Sequence, residues 1–206
     1  MLLSVPMIMA LATACAPSVA PETLTAVVFT ESGGDPLAIG VNRPKPYRLH
    51  PQSASDAARI ADRLLAEGGN FDLGLGQINS RNLARLGLSA ADAFNPCRNL
   101  AASAQLLAAN FSAAVPITKD VQAALRTSLS LYNTGDPIRG FHNGYVAKVT
   151  ASVRMVVPAL DPRTGRAEPP PSSPPSPLPA DWDVFARATP ADPSFVIQPQ
   201  STEPSQ

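Results

Sequence analysis

Apolar residues recur at helical spacing through most of the first 157 positions, and glycine and proline cut the pattern into segments. Residues 21–32, PETLTAVVFTES, predict a helix. Pro21 suits the first helical position, Glu22 sits where the dipole favours a carboxylate, and Leu24, Val27 and Val28 form a buried stripe. Gly33-Gly34 end it. Residues 35–52 carry four prolines and no helical period, and they read as a surface excursion. A second helix is predicted over 54–67, with Ser53 as N-cap and Ala57, Ile60, Ala61, Leu64 and Leu65 on its apolar face. The run NFDLGLGQINSRN reads as a tight turn leading into a helix near 80–86. Asn95-Pro96 open a long helix to about 114, and Thr118 caps another running to about Tyr132. YNTGD interrupts the pattern. Residues 142–157 form a last amphipathic helix with Tyr145, Val149, Val153 and Val156 on one face.

The two ends differ from this body. Residues 1–14, MLLSVPMIMALATA, are apolar and too few to span a bilayer as a helix. They fit an export-signal core, although the first basic residue is Arg43. They also fit a lipoprotein cleavage site at ATAC, or simply the first helix of the domain. At the other end, residues 158–206 hold 13 of the 23 prolines, including PPPSSPPSPLP, a composition that cannot form a core. The expected organisation is an apolar segment 1–14, a mostly α domain 15–158, and a disordered tail 159–206. Trp182 and Phe185 stand in that tail as either a short docking motif or incidental aromatics.

Charge separates the same two parts. Formal charge is +3 over residues 1–158 and −3 over 159–206, with no clustered basic run of the kind a nucleic-acid binder shows. The mild positive charge is compatible with an anionic polymer. The two cysteines, Cys15 and Cys97, and the two histidines fit no zinc spacing. The cysteines are either two separate buried thiols or one disulfide, which would imply an oxidising compartment.

Glu31 is the residue out of place. It follows Leu24, Val27 and Val28 at i+7, on the apolar stripe, and lies in the last turn where the dipole is negative. Burial and dipole would both raise its pKa, and a carboxylic acid kept protonated near neutrality is what general acid catalysis needs. The alternative is that the helix ends early and Glu31 is solvated. Residues 1–158 contain only two other glutamates. Glu22 has a helix-start role and Glu67 lies at a polar helix end.

Three motifs occur in order: Glu31-Ser32 after an apolar helix, GLGQIN at 74–79, and SLYNTG at 130–135. With GYVAKV at 144–149 they resemble the lytic transglycosylase family of goose-type lysozyme-like fold. CAPSVAPETLTAVVFTESGGDPLAIGVN and FNPCRNL are similar to the transglycosylases of type IV secretion and conjugation. The resemblance covers residues 12–157. It implies a lysozyme-like, mostly α catalytic domain in the periplasm, a Cys15–Cys97 disulfide and no metal or cofactor. The substrate it implies is the glycan strands of peptidoglycan, with no nucleic acid as partner. The tail would serve as tether or docking strand for secretion-channel proteins.

The same resemblance makes Glu31 the catalytic acid and base. It implies substrate contacts from Ser32, Gly76, Gln77, Tyr132, Asn133 and Tyr145, with Gly74 and Gly76 letting backbone approach the glycan. One departure is visible: Gly76 stands where many family members have Met. Three aspartates, Asp35, Asp72 and Asp136, lie in or near the motif loops. A lysozyme using water would need one of them, so a murein hydrolase and a non-catalytic peptidoglycan-binding assembly factor remain as alternatives.

Overall fold

A computed structural model describes residues 1–42, 44–118 and 120–156, with Arg154 and Met155 by backbone alone. The proline-rich segment with Trp182 and Phe185 lies outside the described residues. The described part is mostly α, as expected. Its helices are α1 (Val5–Cys15), α2 (Pro21–Ser32), α3 (Ala54–Ala66), α4 (Pro96–Thr118), α5 (Val121–Thr134), α6 (Arg139–His142) and α7 (Tyr145–Val156). Between them stand four short strands, β1 (Ile39–Val41), β2 (Tyr47–Leu49), β3 (Phe71–Leu73) and β4 (Ile78–Asn79).

The strands form one antiparallel sheet in the order β2-β1-β3-β4. Sequence reasoning assigned these residues to an excursion and a turn. Strands of two or three residues are too short to show a period of two, and their pairing depends on partners up to 34 positions away, Ile39 opposite Leu73. The helix expected near 80–86 is instead one 3₁₀ turn, Ser80–Asn82, followed by further turns.

α2 is the central helix. Thr23 to Val28 are all buried, so it packs on nearly every side rather than along one stripe. α1 lies on α2 and α4, with Ile8 and Ala12 fully buried. Its last residue, Cys15, is bonded to Cys97 at the start of α4. α7 covers α2 with Tyr145, Val149, Val153 and Val156, the face predicted from spacing. Ser53 caps α3 by accepting from the Asp56 amide, as expected. The cap expected at Thr118 belongs to Asp120, which accepts from the Ala123 amide, while α4 continues through Thr118.

Two apolar clusters result. The helical one joins Ile8, Leu24, Val28, Leu100, Leu107, Leu129 and Val149. The second lies under the sheet and joins Ile39, Val41, Ala61, Phe71, Leu73, Ile78 and Phe94. The chain that turns from one cluster to the other leaves α2 at Glu31-Ser32.

Candidate active site

Glu31 sits at the junction of helices and sheet. Its Oε1 accepts a hydrogen bond from the Tyr145 hydroxyl at 2.6 Å, and its backbone carbonyl accepts from Arg48 Nη2 at 2.8 Å. Among the described residues, no hydrogen bond reaches Oε2. Burial pushes the carboxyl up from 4.5 to about 7, and the nearby Asp72 charge pushes the same way. The Tyr145 hydrogen bond and Arg48 oppose them. The expected position of Glu31 on a buried stripe therefore has its expected electrostatic consequence.

The sheet presents a polar row toward this carboxyl. Arg48, Gly40, Asp72 and Asn79 are cross-strand neighbours in register, so they share one face. The flanking Ile39, Val41, Phe71 and Leu73 face the core instead. Asp72 is held at both oxygens, by Asn42 Nδ2 at 2.8 Å and Asn79 Nδ2 at 2.7 Å. Asn79 is steadied in turn by Asn70 Oδ1 at 2.8 Å. Burial raises the Asp72 pKa despite these donors. Asp35 and Asp136 are accounted for as turn residues. Asp35 accepts from the Leu37 amide, and Asp136 from the amides of Ile138 and Arg139.

The glycine loop is locked by α4. Asn99, almost fully buried, accepts from the Gly76 amide at 2.8 Å and donates to the carbonyls of Leu73 and Ala93 at 2.9 and 2.7 Å. Gly74 has φ +69°, and a Cβ there would strike Asn99 and Ala93. A Cβ on Gly76 would strike Ser103 Oγ and come within 2.9 Å of the Tyr132 hydroxyl. The glycines thus make room for side chains and backbone of the protein itself. Tyr132 donates to the Gly76 carbonyl at 2.7 Å, and burial, then the Glu31 charge, raise its pKa. Tyr145 is raised by the same two causes.

Three predicted contact residues are otherwise engaged. The Ser32 hydroxyl donates to the Val28 carbonyl and accepts from the Gly34 amide, so it finishes α2. Gln77 is the one non-glycine residue with positive φ among the described residues, +48°. Its amide donates to the carbonyls of Ala38 and Gly74 at 3.2 and 3.0 Å, tying loop to sheet. The Asn133 side chain accepts from Asn143 Nδ2 at 2.9 Å. The structure therefore gathers Glu31, Tyr132, Tyr145 and Gly76, and spends Ser32 and both Gln77 amide hydrogens on backbone. Asn99, Ser103 and Arg48 were not anticipated. Asn99 carried one weak signal, an amide near the start of a helix otherwise rich in Ala and Leu. Among the described residues, no three His, Cys, Asp or Glu side chains gather as a metal site would require.

The transglycosylase SLT domain family matches residues 8–149. Protein virB1 of Agrobacterium fabrum is 44% identical over 150 residues, which are 72% of this chain and 60% of that protein. The type IV secretion system protein virB1 of Brucella abortus biovar 1 is 41% identical over 148 residues, 69% of this chain and 62% of that protein. The chain thus spans about 60% of the length of the curated relatives it matches. No solved structure matches.

Proposed function

The chain belongs to the transglycosylase SLT domain family, and on that premise we propose that it is a peptidoglycan lytic transglycosylase. It would cleave the β-1,4 bond between N-acetylmuramic acid and N-acetylglucosamine and leave a 1,6-anhydro end. The observation that carries this reading is Glu31: a carboxyl raised to about 7 by burial, with one oxygen held by Tyr145 and the other open. A group with that pKa is half protonated at neutral pH and serves equally as acid and base.

The protonated Oε2 gives its proton to the glycosidic oxygen as the bond to C1 breaks, releasing the N-acetylglucosamine hydroxyl. The muramoyl N-acetyl oxygen stabilises the positive centre at C1. The Glu31 carboxylate then takes the proton of the C6 hydroxyl while O6 bonds to C1. The ring closes, Glu31 is protonated again, and no water is consumed. Digestion of purified peptidoglycan followed by mass spectrometry tests this. Anhydromuropeptides are expected from the chain and none from Glu31→Gln; reducing ends alone would overturn the reading.

Asp72 favours a second reading. Its two-point anchorage in the polar row facing Glu31 is the arrangement a hydrolase would use to hold an activating or charge-stabilising carboxylate. Under hydrolysis, Asp72→Asn abolishes turnover and products carry reducing ends. Under transglycosylation it leaves anhydro products and lowers the pH at which activity fails, because a charge that raises the Glu31 pKa is gone.

The likeness to a type IV secretion system protein supports a place where such a channel crosses the wall. A Cys15–Cys97 disulfide supports the periplasm as compartment. Local opening of the glycan mesh would then admit the channel.

A further inference from the structure

Glu31 is gripped at two points. From α7, the Tyr145 hydroxyl holds its Oε1. From the sheet, Arg48 Nη2 donates to its backbone carbonyl at 2.8 Å. We propose that Arg48 is a positioning residue for the cleavage step, capping the end of α2 from β2 and so fixing Glu31 against the polar row of the sheet; this rests on the reading of Glu31 as the acid.

The last turn of a helix leaves carbonyls without intrahelical donors. At the end of α2 the Gly33 amide takes the Phe29 carbonyl, and the Asp35 amide takes that of Ser32. The Glu31 carbonyl lies between them and is taken by Arg48, 17 positions away. A guanidinium suits this end, because the helix dipole is negative there. With its backbone held by Arg48 and its carboxyl by Tyr145, Glu31 is fixed relative to both β2 and α7.

Register puts the same guanidinium on the face that carries the second carboxyl. Arg48 pairs with Gly40, and Gly40 pairs with Asp72. Gly40 has no side chain to stand between them, and a Cβ there would come within 2.8 Å of Gln77 Oε1. Among the described residues Arg48 forms no ion pair, so its charge is not committed elsewhere. The groups facing Glu31 are Arg48 from β2, Asp72 from β3, Tyr132 from α5 and Tyr145 from α7. Arg48 is the one cation among them. Burial and Asp72 hold the proton on Glu31, whereas Tyr145 and Arg48 favour its release. Arg48 draws the Asp72 carboxyl toward its charged form as well.

The test measures anhydromuropeptide release from soluble glycan strands across pH, for the full chain, Arg48→Gln and Arg48→Lys. Arg48 is exposed, so neither variant disturbs the core. Arg48→Gln should lower kcat and kcat/KM together by about tenfold, as a loosened acid does. Its alkaline limb should move to higher pH, because a charge that favours ionisation is gone. Arg48→Lys keeps the charge and should return the limb to its wild-type position with part of the rate. An unmoved limb in Arg48→Gln, or the same move in Arg48→Lys, would overturn the proposal. A raised KM at constant kcat would also overturn it, and would make Arg48 a substrate contact. If Glu31→Gln retains turnover, the reading of Glu31 as the acid fails separately, and the free protein decides the role of Arg48. The Glu31 carboxyl carbon, followed by NMR, should titrate at higher pH in Arg48→Gln and return to the wild-type midpoint in Arg48→Lys. An unchanged midpoint in Arg48→Gln, or equal shifts in both variants, would show that Arg48 does not act on Glu31.

Discussion

The Tyr145 hydroxyl donates to Glu31 Oε1 at 2.6 Å across 114 positions of sequence. It joins the first residue of α7 to the last turn of α2, and it does two opposed things. It fixes the carboxyl in one rotamer, and it favours the charged form against the burial that disfavours it. Tyr145→Phe should separate these effects. Without the donor, burial is less opposed and the Glu31 pKa rises further, so the alkaline limb of kcat/KM moves to higher pH. Without the fixed rotamer, the rate at the optimum falls by roughly tenfold to a hundredfold. A pH profile of anhydromuropeptide release measures both. A slower enzyme with an unmoved limb would mean that the hydroxyl orients without affecting ionisation.

The same burial sets a pH dependence of stability. Glu31 is near 4.5 when exposed and about 7 when folded, so between those values the folded state holds more proton than the unfolded one. Stability is then full below about 4.5 and declines as pH rises to about 7. The loss is roughly 3 kcal/mol once ionisation is complete. Glu31→Gln cannot ionise, and should be more stable than wild type at pH 8 by roughly that amount, or 5 to 10 °C in Tm. At pH 4 the two should melt together. Thermal denaturation at both pH values checks the sign; a Gln variant no more stable at pH 8 would mean that Glu31 is well solvated.

Gly76 gives a prediction about packing. A Cβ there meets Ser103 Oγ first and the Tyr132 hydroxyl at 2.9 Å. Gly76→Ala should cost about 1–3 kcal/mol through overpacking and push Tyr132 away from the Gly76 carbonyl. Removing the nearest obstacle with Ser103→Ala in the same background should recover part of the loss, although the Ser103 Cβ would still lie at 3.0 Å. Denaturant melts of both singles and the double give the coupling, expected at about 0.5 kcal/mol or more and of compensating sign. Additive effects would show that the loop, not Ser103, absorbs the methyl.

Legibility followed range. The ends of α2 and α3, the caps at Ser53 and Gly33, and the α7 face were readable because they are written within a few residues. Glu31 was readable for the same reason, as a carboxylate breaking a local apolar period. The sheet was not, because two- and three-residue strands have no period of their own and exist only through pairing. With the sheet hidden, Asp72 could not be set opposite Glu31, nor Arg48 beneath it. Gln77 and Ser32 were named as substrate contacts from the family resemblance; their backbone partners, the carbonyls of Ala38, Gly74 and Val28 and the Gly34 amide, were not visible in the sequence. Asn99 is the converse, a single buried amide whose three hydrogen bonds shape the loop from another helix.

The disulfide bears on the site by way of that helix. Cys97 and Asn99 are two residues apart near the start of α4, so the bond from Cys15 fixes the segment from which Asn99 reaches the glycine loop. It closes 82 residues, including all of α2, α3 and the sheet, and loop-closure entropy puts its contribution at about 4 kcal/mol. The Cys15→Ser/Cys97→Ser variant should lose about that much and melt roughly 8 to 16 °C lower. Since α1 is otherwise held by Ile8 and Ala12 on α2 and α4, its amides should then exchange hydrogen first, ahead of those in α5 and α7. Hydrogen exchange under native conditions, read beside glycan cleavage, distinguishes two roles for the bond. Loss of protection confined to α1 with normal cleavage would make it a staple for the N-terminal helix. Loss that extends to residues 74–77 with weakened cleavage would make it a support of the catalytic loop, acting through Asn99, and the short spacing between Cys97 and Asn99 predicts the second.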